Sequence, residues 1–151
     1  MFEVKIAEEK DLNFIKDMYR LLDATMTNML KQLVDTDEDE DDEQHSDKYW
    51  NDLIQEKTGY ILVAFHGEKP AGIAVVEIKD EQEVHLEDLI VCSELQKRGI
   101  GQLLITGAKK TAYKKGYKKI SLNVLPNNEK ARYLYTKQGF HEVKISMLCS
   151  L

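Results

Sequence analysis

The chain has few of the features that mark secreted, metal-binding or membrane-spanning proteins. Its two cysteines, Cys92 and Cys149, match no metal-ligand spacing and give no disulfide framework. No apolar stretch approaches the roughly 18 residues of a membrane span. The first ten residues, MFEVKIAEEK, lack the basic segment and long apolar core of a signal peptide. We therefore expect a cytoplasmic protein with reduced thiols, no bound metal and no membrane partner.

The chain also lacks a basic stripe with interleaved aromatic residues, so we expect no nucleic-acid partner. Its net charge is −6, but eight acidic residues are concentrated in DTDEDEDDE at 35–43. When these eight are set aside, the 27 acidic side chains fall to 19, against 21 lysines and arginines. The body of the protein is therefore close to neutral. The run itself predicts a solvated, mobile loop.

What remains is a sequence of ordinary globular composition. Its 151 residues, 42% of them hydrophobic, predict one domain over 1–151 with a sizeable core. Apolar alternation and helical periodicity predict most of the elements. The predicted strands are 2–7, 60–65, 73–78, 83–91, 118–126 and 140–148. One helix is predicted to begin near Asp11, and three more cover 47–57, 100–115 and 127–138. The periodic set Met26, Met29, Leu30 and Leu33 either extends the first helix or starts another.

A glycine-containing turn, ELQKRGIGQLL at 94–104, precedes the helix over 100–115. A helix start presents unpaired N–H groups and a partial positive charge, and glycine lets an anion approach them closely. The turn therefore predicts a phosphate site. A Walker loop is absent, and the dinucleotide fingerprint lacks its third glycine and the acid that should end the next strand.

Two motifs in order resemble the GNAT superfamily of acyl-CoA N-acyltransferases over Leu86 to Phe140. The first is DLIVCSELQKRGIGQLL, in which Gln96, Gly99 and Gly101 are in register. The second is NEKARYLYTKQGF, and a strand containing SLNVL lies between the two. The matching positions of the second motif are Asn128, Ala131, Leu134, Tyr135, Gly139 and Phe140.

The resemblance implies a mixed α/β fold. Its central, mostly antiparallel sheet would be splayed around the cofactor, with helices on both faces. It also implies direct transfer of an acetyl group from acetyl-CoA, as cosubstrate, to a primary amine within a ternary complex. No metal is implied, and a homodimer is compatible with the resemblance.

The resemblance implies two groups of cofactor-binding residues. The pyrophosphate would lie on the glycine turn, and the backbone of the preceding strand would pair with the pantetheine arm. The asparagine of the second motif either caps its helix or contacts the same arm. These residues are Gln96, Lys97, Arg98, Gly99, Ile100, Gly101 and Gln102 in the turn, Leu89, Ile90 and Val91 in the strand, and Asn128 and Tyr135 in the second motif.

Transfer to an amine needs a general acid and a general base. Tyr135 matches the tyrosine that the family often uses to protonate the departing thiolate. Glu87, in HLEDLIV, resembles the glutamate that is a proposed base in polyamine acetyltransferases, and His85 is the second candidate. Strand parity predicts Glu87 and His85 on one face and Asp88 on the other. Cys92 has no assignable base, and we do not expect it to act as a nucleophile.

The acceptor is the least defined part of the prediction. The match in the Leu-Glu-Asp strand favours a small cationic amine, and the run at 35–43 either attracts such an acceptor or has no specific role. Protein N-termini and lysines remain alternatives, as does another acyl donor. A CoA-binding module without catalysis is the alternative from a different class.

Overall fold

The computed structural model describes residues 1–34 and 45–151, and the acidic run at 35–43 lies outside these residues. Nine helices and strands organise the described ranges, together with short 3₁₀ turns at Glu9–Asp11 and Ser93–Leu95. In chain order they are β1 (Phe2–Ile6), α1 (Leu12–Leu33), α2 (Asp47–Ile54), β2 (Gly59–His66), β3 (Lys69–Ile78), β4 (Glu83–Val91), α3 (Ile100–Lys114), β5 (Lys119–Leu122) and α4 (Glu129–Lys137).

The five strands form one sheet in the order β1-β2-β3-β4-β5. The first four pair antiparallel, and β5 pairs parallel to β4. This pairing stops early, because the register runs only from Glu83↔Lys119 to Leu86↔Leu122. Within the described ranges, the second half of β4 therefore has no strand beside it on the β5 side. The predicted mixed α/β fold with a mostly antiparallel sheet is confirmed.

Each face of the sheet carries a hydrophobic core. On one face α1 and α2 cover alternate residues of β2 and β3, with Ile15 and Trp50 buried among them. On the other face α3 packs against the remaining residues. Tyr60 in β2 joins the sheet to α3, because its hydroxyl donates to the carbonyl oxygen of Ala108 at 2.8 Å. Helices therefore cover the sheet on both faces.

Most predicted elements are present with shifted ends. The second periodic set extends α1 to Leu33 and forms no separate helix, and the strand predicted over 118–126 is shortened to β5. In α3, Leu103 is 40% exposed, although its periodicity predicts an inward position, and Ile105 is buried instead. None of the helices in the described ranges is long and apolar enough to cross a membrane.

The strand predicted over 140–148 is wrong. No regular structure follows α4, and residues 141–151 are all exposed. Alternating apolar residues form a strand only where a neighbouring strand accepts their backbone hydrogen bonds. In this fold the segment leaves the domain without reaching such an edge.

Candidate active site

The turn before α3 presents a concave set of backbone amides. Lys97 and Gly99 both have positive φ, at 65° and 82°. This conformation turns successive N–H groups toward one side, the arrangement of an anion-binding nest. Among the backbone bonds of the described residues, none is donated by the amides of Lys97, Arg98 or Gly99. With the unpaired amides of the first turn of α3, they fit a diphosphate.

The two glycines of the turn have different roles. A Cβ on Gly99 would meet nothing within 4 Å, so the space above this residue is open. A Cβ on Gly101 would lie 3.2 Å from Cδ2 of Leu134, so this glycine lets α3 approach α4 closely. Gly99 therefore shapes the turn, whereas Gly101 sets the packing beside it.

The unpaired half of β4 leads from the turn toward the centre of the sheet. Leu89 and Val91 pack against the α3 face, whereas Ile90 is buried on the α1 face. Gln96 fastens the end of this strand, because its Nε2 donates to the carbonyl oxygen of Val91 at 3.5 Å and its Oε1 accepts from Lys130 at 3.2 Å. The open edge therefore offers backbone groups to an extended, peptide-like arm.

Tyr135 lies in α4 beside this opening. The residue is half-buried, and its ring meets that of Phe140 at 5.9 Å between centroids. Burial, followed by the nearby charge of Asp88, raises the pKa of Tyr135 to about 12. The phenol is therefore protonated at neutral pH and able to donate.

A bulge in β4 changes which side chains share a face. Val76 pairs with Leu86 and Val75 with Asp88, so Glu87 is the extra residue. The alternation shifts by one position after a bulge, and Asp88 turns to the α1 face together with His85. Tyr19 of α1 confirms this, because its hydroxyl donates to Asp88. The predicted separation of His85 and Asp88 on opposite faces is therefore wrong.

Three carboxylates gather at this bulge, and we call Glu77, Glu87 and Asp88 the carboxylate cluster. The hydroxyl of Tyr49 donates to Glu77 as that of Tyr19 does to Asp88. The pKa of Tyr19 is raised by burial and then by Asp88. The pKa of Tyr49 is raised by burial and then by Glu77, with smaller contributions from Glu87 and Asp88. All three carboxylates therefore act on the same small region.

Aromatic rings from α1 and α2 border the carboxylate cluster. The ring of His45 stacks on that of Tyr49 at 3.9 Å, and Trp50 meets Tyr19 edge-on at 4.8 Å. Helical periodicity predicts Tyr19 and Tyr49 only as inward-facing residues, and it missed their contact with the cluster. The phenol groups themselves could have revealed these contacts, because the hydroxyl of a buried tyrosine needs a hydrogen-bond partner. Rings beside carboxylates suit an organic cation.

His85 is held by a chain of polar contacts across β4 and β5. The hydroxyl of Ser121 donates to Glu83 at 3.0 Å, and Nδ1 of His85 lies 2.9 Å from the same hydroxyl. A carboxylate only accepts, so Ser121 gives its proton to Glu83 and accepts from Nδ1–H of His85. Nε2 of neutral His85 is then unprotonated, 3.7 Å from Oε2 of Glu87.

Three further polar residues have structural contacts. Asn128 caps α4, because its side chain accepts from the amide of Ala131 at 3.3 Å. Asn127 donates to the carbonyl oxygen of Met29 at 3.1 Å, and in the described part of the chain its buried Oδ1 has no donor. Burial raises the pKa of the Cys92 thiol, which disfavours the nucleophilic thiolate.

Two curated relatives resemble part of the chain. GCN5-related N-acetyltransferase 7, chloroplastic, of Arabidopsis thaliana is 36% identical over 76 residues, covering 50% of this chain and 26% of that protein. N-alpha-acetyltransferase 60 of Xenopus tropicalis is 27% identical over 121 residues, covering 66% of this chain and 50% of that protein. The chain thus spans half or less of these relatives' lengths.

A solved structure shares the fold. The aminoglycoside N-acetyltransferase AAC(6')-Iy, in complex with a CoA-containing bisubstrate analogue, matches with a TM-score of 0.72 and 15% identity, covering 100% of this chain and 98% of that one. The model of the acetyltransferase (GNAT) family matches residues 16–140, which include the turn, the bulge and Tyr135. This chain belongs to the acetyltransferase (GNAT) family.

Proposed function

We propose that the protein transfers an acetyl group from acetyl-CoA to a primary amine of a small cationic molecule. The observation that carries this proposal is the position of the carboxylate cluster. It lies at the bulge of β4, where the strand's open edge begins, and Asp88 acts electrostatically on Tyr135. The carboxylate cluster, which attracts cations, and the phenol of Tyr135, which is a proton donor, therefore lie at the same gap between β4 and β5.

The donor would be bound at two places. The amides of Lys97, Arg98 and Gly99, with the first turn of α3, would bind the pyrophosphate of acetyl-CoA. The backbone of Leu89, Ile90 and Val91 would orient the pantetheine arm. When bound, acetyl-CoA supplies the thioester carbonyl that the amine attacks. Asn128 is used as a cap, so any contribution to binding would come through the position of α4.

Three proton movements accompany the transfer. Glu87 would accept a proton from the ammonium group, directly or through water, which leaves a neutral amine to attack the carbonyl. The nitrogen–carbon bond forms, the carbon–sulfur bond breaks, and Tyr135 gives its proton to the departing thiolate. The proton that the attacking nitrogen loses as the amide forms then returns to the phenolate of Tyr135, directly or through water. The unprotonated Nε2 of His85 is the next acceptor behind Glu87.

Charge and ring placement support a cationic acceptor. Glu77, Glu87 and Asp88 favour a positive ligand, and the rings of Tyr19 and Tyr49 provide apolar walls beside them. The structural neighbour that acts on aminoglycosides agrees with this class. The relative named as an N-alpha-acetyltransferase favours a second candidate, the N-terminal amine of a peptide.

An acceptor panel tests the proposal. Polyamines, aminoglycosides, a peptide with a free N-terminus and a lysine peptide with a blocked N-terminus are incubated with acetyl-CoA, and free thiol is measured. We expect the polycationic small amines to release thiol fastest, and Glu77→Gln to raise their KM. Fastest release with the peptide N-terminus would favour the second candidate. CoA binding without thiol release from any acceptor would indicate a binding module.

A further inference from the structure

A line of polar side chains crosses three strands on the face of the sheet that α1 and α2 cover. The register pairs His85 of β4 with Glu77 of β3 on one side and with Ser121 of β5 on the other. Side chains at paired positions share a face, and so does Glu83, two residues before His85 in the same strand. The hydrogen bond from Tyr49 of α2 to Glu77 identifies this face. We call Glu83, Ser121 and His85 the polar row.

The contacts of Glu83 fix the direction of every hydrogen bond in the polar row. Its Oε2 accepts from Nζ of Lys79 at 2.8 Å and from the hydroxyl of Ser121 at 3.0 Å. These bonds, that of Lys79 first, lower the pKa of the Glu83 carboxyl, which is therefore ionised at neutral pH. An ionised carboxylate has no proton to give, so Ser121 donates to it. Ser121 is left with only lone pairs for Nδ1 of His85, 2.9 Å away.

This direction leaves the other ring nitrogen of His85 ready to take up a proton. Nε2 lies 3.7 Å from Oε2 of Glu87, a gap that one water or a small rotation of the Glu87 side chain bridges. Nδ1 carries its proton in both the neutral and the protonated ring, so uptake at Nε2 changes no contact in the polar row. The side chain of His85 is 19% exposed, which leaves the ring a route to water.

The polar row is not needed to join β4 to β5. Backbone pairing already joins the two strands over 83–86 and 119–122. Two apolar side chains at the positions of His85 and Ser121 would suit this largely covered face at lower cost, because covered polar groups must find hydrogen-bond partners. The polar row therefore points to a role in proton transfer beyond the joining of two strands.

We propose that Glu83 is a positioning residue for the acetyl transfer: through Ser121 it keeps the unprotonated Nε2 of His85 available to Glu87. This inference rests on the proposed function, because the proton comes from the ammonium group of the acceptor. The proton passes from the ammonium nitrogen to Glu87, from Glu87 to Nε2 of His85, and from the imidazolium to water. It is the one proton that the overall reaction releases. Glu83 and Ser121 exchange no proton and only hold the ring.

A matched pair of charge-removing variants tests the role of Glu83 in steady-state kinetics with acetyl-CoA and the fastest acceptor of the panel. Glu83→Gln should lower kcat by roughly tenfold or more with little change in either KM. The reason is that an amide also donates, which lets the hydroxyl of Ser121 turn toward Nδ1 and moves the ring proton to Nε2. Glu81→Gln removes a charge from an exposed side chain two residues away and should leave kcat and KM unchanged.

Nitrogen chemical shifts of His85 report the tautomer without turnover. We expect the Nε2–H form to appear in Glu83→Gln and to stay absent in Glu81→Gln. Ser121→Ala should also lower kcat, and Ser121→Thr, which keeps the hydroxyl, should recover most of the loss.

Three results would overturn the inference while the proposed function stands. They are an unchanged kcat in Glu83→Gln, a pure Nδ1–H form in that variant, and equal losses of kcat in Ser121→Ala and Ser121→Thr. An unaltered chain that acetylates no acceptor of the panel would overturn the proposed function and this inference together.

Discussion

At the scale of single residues, the proposed chemistry depends on the proton of Tyr135. Tyr135→Phe should lower kcat by roughly a hundredfold or more, the usual contribution of a positioned acid, with little change in the affinity for acetyl-CoA. Tyr133→Phe is the matched control, because Tyr133 is 64% exposed and lies in the same helix. Steady-state kinetics with both substrates varied measure the two effects. An unchanged kcat in Tyr135→Phe would remove this residue as the acid.

The same residue predicts a pH dependence. Burial raises its pKa from 10.0 to about 12, so the neutral, donating form persists above the pH at which an ordinary tyrosine ionises. Any alkaline loss of kcat due to Tyr135 should therefore have its midpoint near 12, and not near 10. The raised pKa of Tyr135 also makes the free energy of unfolding depend on pH. The contribution of Tyr135 to stability is complete below the pKa that it has in the unfolded chain, and it is lost as the pH rises toward the pKa that it has in the folded protein. A Tyr135-dependent midpoint near 10 would contradict the buried environment.

His85 offers a test that does not depend on turnover. With Ser121 accepting from Nδ1–H, neutral His85 should be in the Nδ1–H form, which nitrogen chemical shifts distinguish from the other tautomer. Ser121→Ala should produce a mixture of tautomers. Ser93→Ala, at an exposed serine outside this chain of contacts, is the control. An Nε2–H form in the unaltered protein would contradict the proposed role of Nε2 as proton acceptor.

The sequence predicted the residues of the two motifs but missed part of their surroundings. Tyr135 and the glycine turn follow from motif spacing, which depends on local order along the chain. The contacts of Tyr19 with Asp88 and of Tyr49 with Glu77 join residues 69 and 28 positions apart. The bulge at Glu87 is set by pairing with β3, so alternation within β4 alone gave the wrong face for Asp88.

At the scale of elements, substitutions at two glycines of similar conformation test the role of the turn before α3. Gly99 and Gly116 have φ of 82° and 95°, and a Cβ on either meets nothing within 4 Å. Alanine at either position should cost about 1 kcal/mol of stability, since both are left-handed. Only Gly99→Ala should also weaken CoA binding, because it alone lies in the proposed phosphate site. Thermal unfolding and calorimetric titration separate the two effects, and equal CoA affinities would contradict the placement of the pyrophosphate.

The junction of the sheet and α3 depends on a buried hydrogen bond. Tyr60→Phe leaves the carbonyl oxygen of Ala108 without its 2.8 Å donor. We expect a loss of about 1–2 kcal/mol in the free energy of unfolding. Tyr113→Phe, at an exposed tyrosine of α3, should have almost no effect. Denaturant unfolding of the two variants measures the difference, and equal stabilities would show that the bond contributes nothing net.

Elements with strong internal periodicity were predictable, whereas those defined by a neighbour were not. The pattern over 100–115 predicted α3 within one residue of each end, and β4 was predicted with both ends correct. The alternation over 140–148 is equally clear, but an alternating segment specifies only a face to be buried and says nothing about what covers it. β5 is short for a related reason, because its pairing with β4 stops at Leu86↔Leu122, immediately before the bulge at Glu87.

At the scale of the whole molecule, the gap between β4 and β5 joins the parts of the proposed site. The parallel pairing ends at Leu86↔Leu122, immediately before the bulge at Glu87. The gap opens between the turn that leads into α3 and the helix that carries Tyr135. One interruption of the sheet thus supplies free backbone groups and a reoriented carboxylate, and it joins the proposed phosphate site to the proposed acid, Tyr135.

A crystal structure of the full chain with bound CoA tests this account most directly. We predict that the pyrophosphate accepts hydrogen bonds from the amides of Lys97, Arg98 and Gly99 and from the first turn of α3. We also predict that the arm lies along the second half of β4, with its sulfur within roughly 3.5 Å of the hydroxyl of Tyr135. A pyrophosphate bound elsewhere, or a sulfur remote from this hydroxyl, would contradict the account.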